Sequence, residues 1–191
     1  MLIDIPVSKA YSLLTGSPTV MVTSQSPQGV DNVMANAWNT LFEMGEHPQV
    51  IVVLDKCHTT FQNILFTKEF GISIPGTAMR REMLVSGTVH GRDVGDKFKH
   101  LGIEKLPSSV IKAPLVNGAL AHLECRLVDE RLFENKGIAI GEIVAAHVRE
   151  PYWDGAHLIT DGQEETTMHA AGSDHWFTRG SHHKWSEKLR D

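Results

Sequence analysis

Two neighbouring stretches hold the residues best suited to chemistry. In the first, Asn32–Thr40 (NVMANAWNT), Asn32, Asn36, Asn39 and Thr40 supply donors and acceptors, and Ala35 and Ala37 leave room for another group to approach the backbone. Asparagine is depleted in strands, so this density needs a reason. One reading is a bulged edge strand whose Asn side chains bond nearby backbone. The other is a ribbon that offers amides and backbone N–H groups to a flat heterocycle. Residue types alone leave both open. In the second stretch, Lys56, His58, Thr59 and Thr60 gather at the start of a helix whose apolar face is Phe61, Ile64 and Leu65. Unpaired N–H groups, hydroxyls and positive charge at a helix N-terminus suit a phosphate. An ordinary helix start capped by Asp55 or Thr59 accounts for the same residues. Together the two stretches describe a cradle for a flat, phosphorylated ligand.

The elements that must position these residues read mostly as strands. Thr19–Ser24 (TVMVTS) alternates and is β-branched, Ser26–Gly29 (SPQG) is a turn, and the chain returns through Asn32–Thr40 as the second arm of a hairpin. Pro48–Leu54 is apolar throughout, as a strand buried on both faces would be. Glu69–Pro75 is a further strand. Ala78–Val85 reads as helix, Gly87–Asp93 as loop, and Val94–Ile103 as a short amphipathic helix with Val94, Phe98 and Leu101 as its stripe. Leu106–Leu115 carries two prolines and reads as extended. Gly118–Glu130 is a long strand that puts Cys125 on its apolar face, as a buried thiol rather than a nucleophile. Gly137–Arg149 is its partner, and Ser8–Leu14 is a short N-terminal helix. This pattern predicts a mostly β, closed or split antiparallel barrel with a few peripheral helices, in one domain over 1–191.

Composition narrows the classes. A net charge of -5 argues against a partner bound through a nucleic-acid backbone. The chain has 2 cysteines, far apart, which predicts no disulfide framework and a reducing, cytoplasmic setting. The N-terminus lacks the pattern of a signal peptide, and no apolar run approaches the roughly 20 residues that span a bilayer. No GxGxxG, GxxxxGK[ST] or GxSxG is present, so a Rossmann site, a P-loop and a hydrolase elbow are not supported. The tail carries His157, His169, His175, His182 and His183, but in no metal-ligand spacing, and no metal site is expected. Trp153, Trp176 and Trp185 suggest that the tail packs, with Ser181–Asp191 as a last exposed helix.

Several segments, in order, resemble the flavin reductase-like family, which includes flavoredoxin. They are PTVMVTS at Pro18, NVMANAW at Asn32, the Pro-led strand at Pro48, TFQNI at Thr60, EFGISIP at Glu69, GRDVGDKFKHLG at Gly91, KAPLVNGALAHLECRL at Lys112 and IGEIV at Ile140. The resemblance implies a Greek-key split β-barrel, a homodimer, and FMN in a groove near the subunit interface. It implies ring contacts from Asn32, Met34, Ala35, Asn36, Ala37, Trp38, Asn39 and Thr40, with Thr23 on the adjacent strand. It implies a phosphate site at Lys56, His58, Thr59, Thr60 and Asn63. The flavin would carry the chemistry, so no side chain need be a covalent catalyst. The implied activity is NAD(P)H:flavin oxidoreduction at flavin N5, with NAD(P)H or a redox protein as donor. Its alternatives are a flavoredoxin-like electron carrier and a non-catalytic flavin or heme carrier. The sequence departs from the family at Glu134–Gly137, where many relatives carry Gly-Asp-His.

Overall fold

Strands form where β-branched residues alternate. The structure, a computed structural model, describes residues 17–154, 158, 160–170 and 176–178. The expected helices at Ser8–Leu14 and Ser181–Asp191 lie outside the described residues. Val20–Gln25 (β1) and Asp31–Asn36 (β2) make the expected hairpin, in register from Val20 opposite Asn36 to Gln25 opposite Asp31. Ser26 Oγ fixes the turn by accepting the N–H groups of Gln28 and Val30. Then come Asn39–Glu43 (β3), Gln49–Val53 (β4) and Glu69–Ile74 (β5). Short Lys105–Leu106 (β6) and Leu115–Val116 (β7) pair with each other. Ala121–Leu127 (β8) and Ile138–Val148 (β9) complete the main sheet, and Met168–Ala170 (β10) pairs with Trp176–Thr178 (β11).

The main sheet has seven antiparallel strands in the order β2-β1-β5-β8-β9-β4-β3. Its two edge strands, β2 and β3, are joined only by Ala37 and Trp38. A link this short forces the sheet to curl until its edges meet. The expected single ribbon over Asn32–Thr40 is therefore two strands, one on each side of a seam. No ladder joins them, so the barrel is split. Side chains hold the seam instead. Asn36 Nδ2 donates to the Val53 carbonyl (2.9 Å), and Asn39 Nδ2 donates to the Pro18 carbonyl (3.1 Å). The Val53 N–H donates to the Trp38 carbonyl (2.8 Å).

Alternation along β1 divides the interior. Val20 and Val22 pack with Val52, Phe70 and Ile72 against Phe61 and Ile64 of helix Thr59–Thr67 (α1). Met21 on the other face packs with Val33, Phe98, Ile103 and Val116. Each such side chain contributes roughly 1.5–3 kcal/mol on full burial. Helix Arg80–Thr88 (α2) follows a 3-10 turn at Thr77–Met79. Where a loop over Gly87–Asp93 and one helix over Val94–Ile103 are expected, the chain makes a broken helix in two pieces, Gly91–Val94 (α3) and Lys97–Leu101 (α4). Gly95 breaks it at φ 72°, a conformation that suits glycine, and Asp96 restarts it by accepting the Lys99 N–H. Glu130–Lys136 (α5) bridges β8 and β9.

Two polar features tie the outer elements to the sheet. Glu124 of β8 is fully buried, and its carboxylate accepts from the N–H groups of Ser109, Val110 and Ile111, from Ser109 Oγ and from His147 Nε2, at 2.6–3.0 Å. The irregular stretch after β6 is thereby pinned to β8, where the prolines exclude a ladder. Beyond β9, the Thr19 N–H donates to the Met168 carbonyl (2.7 Å) and the Ala170 N–H to Thr19 Oγ1 (2.9 Å), which clasps β10 to the start of β1.

Candidate functional site

The outer edge of β2 pairs with no strand and is covered by helices. Between them is a pocket of about 30 Å³. Asn32 and Met34 of β2 form its floor, and His58, Thr59 and Thr60 enter at the start of α1. Ser86 and Gly87 close it from the end of α2, His90 and Gly91 from the start of α3, and Lys97 from α4. Gly91 is required there, because a Cβ would come within 2.5 Å of Asn32 Oδ1 and 3.0 Å of Thr59 Oγ1.

The pocket is short of negative charge. Lys97 is only 2 % exposed, and its ammonium donates to the Ser86 carbonyl at 2.7 Å. That carbonyl is in the last turn of α2, where helical carbonyls lack partners and the dipole favours a cation. Among the described residues no carboxylate pairs with Lys97, and burial pulls its pKa down to about 8. Burial also lowers His58, opposed by Asp55 and reinforced by His90, Lys97 and Arg92. The His58 and His90 rings stack with centroids 6.3 Å apart. His58, with an extended backbone, is the N-cap of α1 and makes no side-chain cap bond, so the cap is neither Asp55 nor Thr59. Asp55 Oδ1 instead accepts the Cys57 N–H. The first N–H groups of α1 thus have no side-chain capping oxygen, and His58, Thr59 and Thr60 at that helix start line the pocket.

Hydrogen bonds preorganise the floor. Asn32 Nδ2 donates to Thr60 Oγ1 (2.8 Å) and Ser24 Oγ (3.4 Å), and Asn63 Nδ2 donates to Ser24 Oγ (3.1 Å). With its oxygen accepting from Asn32, Thr60 can point its hydroxyl proton elsewhere. Among the described residues Asn32 Oδ1 and His58 Nδ1 are buried without hydrogen-bond partners. Unmet groups in a polar pocket point to a ligand.

Of the residues singled out in the sequence, the structure brings Asn32, Met34, His58, Thr59 and Thr60 together in this pocket. Asn63 supports the floor through Ser24. Asn36 and Asn39 hold the seam, and Ala35 is beside Gly87. Ala37, Trp38, Thr40 and Lys56 are exposed. Thr23 is on the opposite face of β1, against Gly71 and Leu115. Sequence reasoning missed Lys97, His90, Ser86 and Gly91. One signal was available: Val94, Lys97, Phe98 and Leu101 follow the i, i+3, i+4, i+7 spacing of a buried helix face. Among the described residues no cluster of His, Cys, Asp or Glu could hold a metal, and no helix is long and apolar enough to cross a membrane. Of the tail histidines only His169 is described; it is buried and stacks on Phe177.

Residues 12–177 match the model of the flavin reductase like domain. The chain belongs to the flavin reductase-like family. It is 34% identical over 181 residues to the uncharacterised protein YddH of Escherichia coli strain K12, covering 93% of this chain and 95% of that one. Among solved structures, an FMN-binding domain of a flavin reductases-like enzyme from Shewanella baltica superposes with a TM-score of 0.82 at 27% identity, covering 96% and 97% of the two chains. Flavoredoxin of Desulfovibrio vulgaris (Miyazaki F), at 22% identity, shares the fold with a TM-score of 0.80 over 98% and 99%. The expected split barrel of flavin reductase-like proteins is therefore the fold of this chain.

Proposed function

We propose that the protein is an FMN-binding NAD(P)H:flavin oxidoreductase. The observation that carries the reading is the buried Lys97 ammonium, without a carboxylate partner among the described residues, in a pocket that the start of α1 also lines. A phosphate dianion supplies the missing charge. Lys97, His58, His90 and the Thr59 and Thr60 hydroxyls are its proposed ligands, and charge-assisted hydrogen bonds of this type are the strong ones. Asn32 Oδ1, an acceptor without a donor, suits a ribityl hydroxyl. The outer edge of β2 offers backbone groups to the polar rim of a planar ring, next to Met34. When bound, FMN supplies two-electron chemistry at N5, taking hydride from NAD(P)H or electrons from a protein donor. The protein's own part is to hold the cofactor and set the charge around it.

A flavoredoxin-like electron carrier is the second reading. It is favoured by Glu134–Gly137, where the histidine common in relatives is missing and the chain instead ends α5 with Gly137. One experiment addresses both. Protein incubated with excess FMN and desalted is expected to keep a flavin absorption band, and NADH or NADPH added without oxygen is expected to bleach it. Loss of all flavin on desalting, together with no detectable affinity, overturns the assignment. A retained band that bleaches only with a reduced redox protein selects the second reading.

We also propose a second copy of the chain as the cover for β3. This edge strand and its flanks expose Trp38, Leu41, Phe42 and Met44, the last 79% accessible. An apolar strip on an open strand edge is an association surface unless covered. Light scattering is expected to give twice the chain mass for the native protein and the single mass for Leu41→Lys. A monomeric native protein would remove the proposal.

A further inference from the structure

Among the described residues the pocket gathers three titratable bases and no acid. Lys97 has the Ser86 carbonyl as its partner, and no charged group of α2 or β2 faces it. His58 faces His90 and Arg92 from the α3 segment, Lys97 from α4 and Asp55 from its own turn. The carboxylates next to this region are committed elsewhere. Asp31 and Asp96 both bind Lys105 Nζ, at 2.7 and 2.9 Å, and Asp55 Oδ1 accepts the Cys57 N–H. A cation this deeply buried is costly, and its neighbours suppress each other's charge.

Resting on the FMN reading above, we propose that the pocket fills with a phosphate monoester and protons together, so that pH sets how tightly the cofactor is held. The protons go from solvent to the neutral fraction of Lys97 Nζ and to the free ring nitrogen of His58. A dianion close to both favours their charged forms, and by linkage a ligand that raises a pKa binds more weakly once that group has lost its proton. The phosphate brings its own second ionisation near pH 6, so the effect is isolated above that value.

With Lys97 titrating at about 8 in the free protein, the FMN dissociation constant is expected to rise about tenfold between pH 7 and pH 9. Riboflavin has the same ring and no phosphate, and its constant is expected to stay level over that range. The experiment is a fluorescence titration of the full chain with each flavin at pH 7, 8 and 9, repeated with Lys97→Arg. Arginine keeps its charge throughout, so this variant is expected to bind FMN with a flatter profile. A level FMN profile with tight binding overturns the proton coupling while leaving the flavin assignment intact. Equal slopes for FMN and riboflavin also overturn it, because the titrating group would then act on the ring. Binding of neither flavin at any pH overturns the assignment and the coupling together.

Discussion

Replacing Lys97 with methionine is expected to give a folded protein whose grip on FMN is weakened about 10- to 100-fold. The side chains are similar in length, and methionine adapts to irregular space. What is lost is the ammonium, and a hydrogen bond to a charged group contributes roughly 1.5–3 kcal/mol. Fold stability should move the other way or barely at all. The native chain buries this charge against one carbonyl with no counter-ion among the described residues, and apolar replacements of poorly compensated buried charges are often neutral or stabilising. The measurements are a flavin titration and a thermal melt of the ligand-free protein. An affinity within twofold of the native value, or a collapse in stability that accounts for the lost binding, would sink the role given to Lys97.

Glu124→Gln is expected to be the most damaging substitution in the sheet, at about 3–5 kcal/mol. That corresponds to a fall in Tm on the order of 10 °C for a chain of this size. Glutamine keeps the shape, but it replaces an acceptor oxygen with an NH2 group facing donors from Ser109, Val110, Ile111 and His147. The same cluster shapes the acid limb of stability. Burial alone would raise Glu124, but hydrogen bonds from the Ser109 backbone, His147 and the Ser109 hydroxyl outweigh it and hold the carboxyl at about 2. Its contribution is full above the ordinary value of 4.5 and fades as pH falls from there towards 2. Burial, helped by nearby His147 and opposed by Glu124, lowers His122 to about 4 from 6.5. The unfolded chain therefore takes up a proton between pH 6.5 and 4 that the folded one refuses, which also favours unfolding in acid. Denaturant melts from pH 7 to pH 3 should show stability falling across both windows. Glu124→Gln should lack the lower one. A Tm within 2 °C of native for this variant would remove Glu124 from the account.

Local patterning made much of this molecule legible. Thr19–Ser24, Pro48–Leu54 and Glu69–Pro75 became strands because β-branched alternation and apolar runs specify their environment directly. The start of α1 could be marked as one cluster of polar groups because its hydroxyls and imidazole are contiguous in sequence, and His58, Thr59 and Thr60 do line one pocket. What could not be read were relations between distant segments. Nothing in residue type shows that the curl of the sheet brings Val53 to Asn36 and Pro18 to Asn39, whose Nδ2 groups donate to their carbonyls. The spacing of Lys97 places it on a buried helix face, but not beside the Ser86 carbonyl, until Gly95 breaks that helix and α4 packs against β2. In both cases the polar group's partner lies far along the chain, and residue type alone does not distinguish a ligand contact from a backbone latch.

The two-residue link at Ala37–Trp38 has a consequence of its own. It keeps the two margins of the sheet at a high effective concentration, as a short tether does for two weakly binding modules. Little closure entropy remains to be overcome, so a few side-chain and backbone bonds can do what an unlinked barrel would need a full ladder to do. The outer margins of β2 and β3 are then spared from pairing with each other, so helices can cover the first while the second stays exposed.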